Sequence, residues 1–522
     1  MSLELIREVV NLSQVIGEEL TQTVVENDII VPDVKPDINR ILLLDGDIYI
    51  KSTETVQDKI LINGAICFKI LYISDDSEQS VKSINPTANF SYDLDVPGAK
   101  SGMKSKVKCD IEHIDYNILN GRKINTRAIV KLSGKIVNDV EQEIVSGVEG
   151  IEDLEVLREN VNISYSLGEN EISCSVKESF EVPAGKPAIR EILRNDIKIT
   201  GKDYKITEGK IIVKGELGVS TLYVGDDEAR SIQFMEHEIP FSQFIDLPGI
   251  DENASCSIEC RIADSLFEAV EDSDGELRKI NGEVSLTISA SASARKSIEV
   301  LSDAYSPQMR LNLDKEPVSL EESIAESKSQ IILKDTITLE SGAPEIVEIF
   351  NVLCKPSLSD CKISDNRLSL EGVVNYNMLY LSNSAEQPVL CSRQEELFKH
   401  GIDIKGVKPG MRCEVDLDIE HCSYSMVSSN EVEVRLILIA TARVSSQYSL
   451  PLIAKVAESP MEDKRTSSRP SIIIYFAQPG DTLWKISKKY STSVRAVQKV
   501  NQISDTDPIL PGQQIIIPGR VF

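Results

Sequence analysis

The chain reads as a mainly β protein: three tandem antiparallel β-rich repeats, sandwich- or barrel-like, then a linker and a small α+β module of βααβ order. Three observations predict this. Gly64, Gly215 and Gly372 recur at offsets of 151 and 157 residues, and Tyr72, Tyr223 and Tyr380, Pro36, Pro187 and Pro344, and Phe90, Phe241 and Phe398 keep the same two offsets. Repetition at that length marks tandem domains, not a solenoid. Within each copy the apolar residues alternate, as in Val284, Leu286, Ile288, Ala290 and Ala292, so one face of each strand is buried and the other wet. Gly and Pro turns separate such runs, which favours antiparallel sheets over a parallel one.

The expected units are residues 1–155, 156–304 and 305–448, a flexible linker over 449–471, and a terminal module over 472–522. The first copy holds one exception to the β pattern: Ile38, Ile41 and Leu42 after Pro36, matched by Ile189, Ile192 and Leu193 after Pro187, fall at helical spacing with proline in an acceptable first-turn place. Val96-Pro97-Gly98 and Leu247-Pro248-Gly249 read as matching turns; the third copy has Lys405-Gly406 there, so its frame is kept while its turn chemistry drifts. Pro451, Pro460, Ser467, Ser468 and Pro470 with mixed charge read as a tether. The copies are expected to hang as separately folded beads, flexibly joined.

In the terminal module, residues 472–476 form a strand by composition. Asp481 or Thr482 caps a helix beginning at Leu483, and Ser493 caps a second helix carrying Val494, Val497 and Val500. Asn501 suits the left-handed position after that helix, and residues 515–518 close the sheet. The net charge of −27 is uneven: residues 472–522 carry six Lys or Arg and three Asp, a net of +3, which leaves −30 on the rest. So acidic a body is a poor match for nucleic acid or anionic membrane.

Ten cysteines without a Cys-x-x-Cys pair suggest a reduced, intracellular protein. Acidic residues near the N-terminus and no apolar run of membrane-spanning length predict a cytosolic, soluble chain without membrane insertion. Little else points to chemistry. Cys109 with His113, or His421 with Cys422, would be the metal candidates, but adjacent strand residues face opposite ways, so no metal site and no cofactor is expected. Cys256 and Cys260 read as inward strand positions. Gly134-Lys135 and Gly209-Lys210 lack the first glycine of a phosphate loop, with Ile129 and Tyr204 in its place. Four histidines and no nucleophile motif argue against an enzyme, and no catalytic residue is named.

Pro479-Gly480-Asp481-Thr482-Leu483-Trp484, Tyr490, Asn501, and Leu510-Pro511-Gly512-Gln513 through Pro518 resemble a LysM domain. That resemblance implies a shallow groove for N-acetylglucosamine-containing glycans, walled by Gly480, Asp481, Thr482 and Leu483 on one side and Ile509, Leu510 and Pro511 on the other. Val500 and Gln502 depart from the family's usual residues beside Asn501. Trp484, the single tryptophan, suits either a binding anchor or the core of a tiny domain, and Ile472 at the strand edge is equally open.

Three acidic repeats ahead of one such module resemble the SipL type of spore coat morphogenetic protein, whose repeats are called SPOCS domains. The resemblance implies a non-enzymatic scaffold in the mother-cell cytoplasm, at the outer forespore surface and spore coat. It would link the coat's basement ATPase, of the stage IV protein A type, to further coat protein, with the LysM module as main protein-binding element. The rival reading is a peptidoglycan- or N-acetylglucosamine-binding wall or cortex protein, with peptidoglycan or its precursors as partner.

Overall fold

A computed structural model describes residues 4–74, 81–151, 153–384, 387–459, 472–504 and 508–518. The first repeat runs β1 (Glu4–Ile30), β2 (Ile38–Val56), β3 (Lys59–Ser74), β4 (Val81–Ile84), β5 (Thr87–Asp95), β6 (Lys104–Asn120) and β7 (Lys123–Glu149). The second runs β8 (Glu155–Glu181), β9 (Ile189–Thr207), β10 (Lys210–Gly225), β11 (Ile232–Asp246), β12 (Ser255–Glu271) and β13 (Leu277–Tyr305). The third runs β14 (Arg310–Thr338), β15 (Ile346–Ser364), β16 (Arg367–Ser382), β17 (Val389–Asp403), β18 (Arg412–Ser428) and β19 (Glu431–Ser459). The terminal module is β20 (Ile472–Phe476), α1 (Leu483–Tyr490), α2 (Val494–Asn501) and β21 (Gln514–Pro518).

Every repeat is a sandwich of two antiparallel sheets. In the second they are β8-β13-β12 and β9-β10-β11; the third has β14-β19-β18 and β15-β16-β17; the first has β1-β7-β6 facing β2-β3 with β4 and β5. In the first repeat Pro86, which has no N–H to donate, falls between β4 and β5 where the other copies run one unbroken strand.

The repeated landmarks turn out to be partners. Gly64, Gly215 and Gly372 stand directly across the ladder from Phe90, Phe241 and Phe398, and each ring lies on the bare glycine backbone. A Cβ at Gly64 would sit 2.5 Å from the Phe90 ring, and one at Gly372 2.5 Å from the Ser357 carbonyl oxygen. The hydroxyls of Tyr72, Tyr223 and Tyr380 donate to the carbonyls of Pro36, Pro187 and Pro344 at 3.0, 3.1 and 3.4 Å, tying the entry of each repeat to its middle strand.

Three features differ from the sequence reading. The segments after Pro36 and Pro187 are strands, β2 and β9, not helices. Register shifts at Ile38/Arg40 and Ile41/Leu43 move the alternation out of phase, and a bulged strand then shows apolar residues at helix-like spacing. Residues 449–459, expected to open the linker, continue β19 paired with β14; the rest of the expected linker, 460–471, lies outside the described residues. Nor are the repeats beads on a string, because they share cores.

One shared core collects the same positions from all three copies: Leu42, Leu193 and Phe350; Leu71, Leu222 and Leu379; Val81, Ile232 and Val389. Equivalent residues can meet in one cluster only if the copies surround a pseudo-threefold axis. A second shared core forms where β1, β8 and β14 run beyond their own sandwiches, again from equivalent positions: Val10, Val161 and Val318, with Leu12, Ile163 and Leu320. A bulge marks the crossing from private to shared packing in each copy, skipping Ile16, Leu167 and Ile324, whose side chains stay in their own sandwiches. Each such buried aliphatic side chain is worth about 1.5–3 kcal/mol, so the junction is a large part of the fold's stability.

Beside the central core the symmetry breaks into charge. The position of Leu43 is Arg194 in the second copy and Asn351 in the third. The Arg194 side chain is 4% exposed; its Nε donates to Asp196 at 2.7 Å and its Nη2 to Asp45 at 3.3 Å, while Lys355 of the third repeat also pairs with Asp45. Lys69 bridges Asp47 at 2.8 Å and Asp196 at 3.6 Å. The cluster draws charges from all three copies, and ion pairs such as Lys108–Asp416, at 2.6 Å, tie them further out. Burial alone would raise the Asp45 carboxyl, but Lys355 and Arg194 outweigh it and hold the group below the ordinary carboxylate value.

Two outcomes are expected. Gly372→Ala forces its methyl against the Phe398 ring and a backbone carbonyl, neither of which can step aside, and costs about 1–3 kcal/mol, read as a lower melting temperature. A depressed folded-state value at Asp45 means its stabilisation is complete above the unfolded value near 3.9 and is lost as pH falls through the lower folded one. Calorimetry from pH 7 to 3 therefore shows Asp45→Asn less stable at neutral pH and flatter below about pH 4; equal acid slopes would refute the role.

Candidate functional site

The terminal module is built from local signals that its sequence states openly. The Thr482 hydroxyl caps α1 by accepting from Lys485 N at 3.2 Å, and Ser493 caps α2 by accepting from Ala496 N at 3.2 Å. Gln502, not Asn501, takes the left-handed position after α2, at φ 55°. Asn501 is instead the last helical residue: its amide donates to the carbonyl of Val497, one turn back in α2, at 2.7 Å, and it donates to Ile516 O at 2.6 Å and accepts from Ile516 N at 2.7 Å, pinning the helix to β21. Ile486, Val497, Ile515 and Ile517 form the core, with Ile473, Tyr475, Leu483, Tyr490 and Ile509 packed round it.

The two loops that the sequence assigns to a groove do meet. Gly512 N donates to Ala477 O at 2.7 Å, and Leu483 and Ile509 both pack against the module's core. Gly480, Thr482, Leu510 and Pro511 stand exposed in the two loops. Asp481 is spent on structure: its carboxylate accepts from Gln478 N and Tyr475 OH, both at 2.8 Å, and these bonds keep it below the usual carboxylate range.

Trp484 fits neither of its two expected places. It is absent from the module's core and also from the free surface, because its Nε1 donates to Asp303 at 2.9 Å and its ring meets Tyr305 edge-on, with centroids 4.9 Å apart. Lys488 Nζ lies 2.6 Å from the same carboxylate, and the Tyr305 hydroxyl donates to Thr492 O at 2.9 Å. The cationic module is thus latched onto the end of β13 of an acidic body. Burial would raise the Asp303 carboxyl, but the bonds from Lys488 and Trp484 hold it low. Nothing local in the sequence marks Asp303 or Tyr305; their role appears only when β13 is seen to run on past its sandwich.

With Trp484 engaged, the module's open apolar surface lies elsewhere. Along β20, Ile473 and Tyr475 turn to the core while Ile472, Ile474 and Phe476 turn outward and remain 62%, 58% and 52% exposed. Three large apolar side chains in a row on one face of a two-stranded sheet is more than scattered surface hydrophobicity.

The expected metal candidates do not converge. His113 bonds Asp115 at 2.8 Å on the exposed face of β6, and Cys422 faces Cys354. Among the described residues no group of three or more His, Cys, Asp or Glu is placed to hold a metal ion, and no helix is long and apolar enough to cross a membrane.

Comparison with known proteins agrees with this architecture. The model of the SipL, SPOCS domain family matches residues 37–119, 188–270 and 345–427, and that of the LysM domain matches residues 475–518. A 48-residue stretch is 48% identical to SpoIVD-associated factor A of Bacillus subtilis (strain 168), and one of the same length is 46% identical to the spore coat assembly protein ExsA of Bacillus cereus. Each match covers 9% of this chain, and 12% and 8% of the respective relative. No solved structure matches.

Because Trp484 is the single tryptophan, its emission reports the latch directly. Asp303→Ala is expected to move that emission to the red and to raise its quenching by acrylamide, while the melting of the β body stays as in the wild type. Unchanged emission would show that the latch does not hold the module.

Proposed function

From a chain that carries three SPOCS domains of the SipL family ahead of a LysM domain, we propose a non-enzymatic scaffold of endospore coat assembly. It acts at the forespore surface, joining the basement ATPase of the coat, of the stage IV protein A type, to further coat protein. The terminal module is its main protein-binding element. The observation that carries this reading is the row Ile472, Ile474 and Phe476: three apolar side chains left in water side by side on one face suit a protein surface, which buries apolar area, better than a sugar. The names of the two relatives, one a SpoIVD-associated factor and the other a coat assembly protein, support the same direction.

In this reading the β body does mechanical work. It holds one adhesive module on an acidic, threefold platform, and several surfaces on one chain raise the effective concentration of their partners for each other. The glycan reading draws on a separate feature, the exposed loop residues Gly480, Thr482, Leu510 and Pro511.

The two readings separate on the purified full-length chain. Ile474→Asp is expected to weaken binding to a purified stage IV protein A-type ATPase at least about tenfold, equivalent to about 1.4 kcal/mol, with unchanged circular dichroism. Co-sedimentation with insoluble peptidoglycan is measured alongside. Wild-type ATPase affinity in the variant, together with pelleting of the chain by peptidoglycan, would replace the scaffold by the glycan reading.

A further inference from the structure

The third repeat differs from the other two along one open side of its sandwich. β15 and β18 are the edge strands of its two sheets, and they come within 8 Å of each other. Cys354 and Cys361 stand on the first, Cys413 and Cys422 on the second. Cys354 Sγ lies 3.3 Å from Cys422 Sγ, and at the next level Cys361 and Cys413 pack against the same core. Residues seven or nine apart on a regular strand point to opposite faces. A register shift at Leu358/Asp360 on β15 and another at Ile419/His421 on β18 correct both spacings, so that all four thiols face the same gap.

No such set exists at the equivalent places elsewhere. The first repeat has Gly46 against Ile114, with Thr53 and Ser105 at the second level. The second has Ile197 and Ser265, then Tyr204, whose hydroxyl donates to Cys256 O at 3.2 Å. Cys174 and Cys260 of the second repeat stand on β8 and β12 with β13 between them, about two strand spacings or 10 Å apart, beyond the reach of a disulfide.

We infer that Cys354 with Cys422, and Cys361 with Cys413, are two oxidation sites that close into disulfides and staple the two sheets of the third repeat along this edge. The Cys354 and Cys422 sulfurs already touch, so small side-chain rotations bring them to the bonding distance of about 2.05 Å. The oxidant is a low-molecular-weight disulfide. The Cys422 thiolate attacks one of its sulfurs and releases one small thiolate. Cys354 then gives up its proton, attacks Cys422 Sγ and expels the second, so that one protein dithiol and one small disulfide become one protein disulfide and two small thiols. Cys422 is the attacking group because the bond from Cys354, and then the charge of Lys198, favour its thiolate against burial, while Cys354 is pushed up. At the other level Cys361 is favoured in the same way by Cys413. Cys354 and Cys422 are 68 positions apart, and closing so long a loop restricts the unfolded chain strongly.

The test treats the full-length chain with oxidised glutathione, alkylates the remaining thiols and maps peptides by mass without reduction. Linked peptides joining 354 to 422 and 361 to 413, alkylation at the other six cysteines and a melting temperature raised by several degrees, reversed by dithiothreitol, are expected. Alkylation at all ten cysteines, glutathione adducts alone, or links between chains would overturn it. In a Cys354→Ser, Cys361→Ser variant with wild-type circular dichroism, oxidation should no longer raise the melting temperature. A rise equal to that of the wild type would also overturn the assignment.

Discussion

What the architecture depends on is burial that no single repeat can complete alone. Leu42, Leu71 and Val81 would be solvent-exposed on an isolated first sandwich, as would Leu193, Leu222 and Ile232 on the second and Phe350, Leu379 and Val389 on the third; together they bury one another. The three copies must therefore keep apolar side chains at these places on the outer faces of their sheets, and must stay at a fixed angle about the axis. A chain of three tandem domains becomes one body because its second hydrophobic face, not its linkers, sets the geometry. Arg194 shows the limit of that symmetry. Its guanidinium needs two carboxylates from two copies, and a buried cluster of this kind adds little stability over apolar packing while fixing which copy stands where.

The same geometry creates the place where the terminal module sits. Once β1, β8 and β14 with their partners β7, β13 and β19 extend past their sandwiches to pack together, the end of β13 projects as a platform carrying Asp303 and Tyr305. An acidic body of formal charge −30 and a module of +3 attract without direction. Direction comes from the indole N–H and the lysine ammonium converging on one carboxylate, and from the tyrosine ring against the indole. The latch also determines which surface remains open, because covering Trp484 leaves the outward row of β20 and the exposed loop residues Gly480, Thr482, Leu510 and Pro511 in water.

Much of this was legible in the sequence, and the reasons for the gaps are specific. Glycine and phenylalanine recurring at one pair of offsets, and tyrosine with proline at the same pair, are contacts written into the chain, since each pair meets in each copy. The helix caps Thr482 and Ser493 are local and were readable for that reason. The segment after Pro36 misled because bulges shift the phase of a strand, and period alone cannot tell that from a helical turn. The central shared core was hidden because a strand end buried on both faces, such as that of β10, shows no alternation to count. Asp303 and the facing thiols were hidden because their partners lie far along the chain, on other strands.

The thiol pairs also explain how one fold tolerates three different fillings at one place. The gap between the two edge strands, β2 and β6, β9 and β12, or β15 and β18, must be filled to a fixed volume, and glycine against isoleucine, isoleucine against serine, and cysteine against cysteine each bring comparable bulk. Only the last combination carries reactive groups on both sides. Packing alone would accept alanine or valine there, as it accepts other small residues in the sister copies. The register shifts that turn these positions inward recur at the equivalent places in the sister copies, so the backbone is common to all three and the thiols alone separate a reactive edge from a merely packed one.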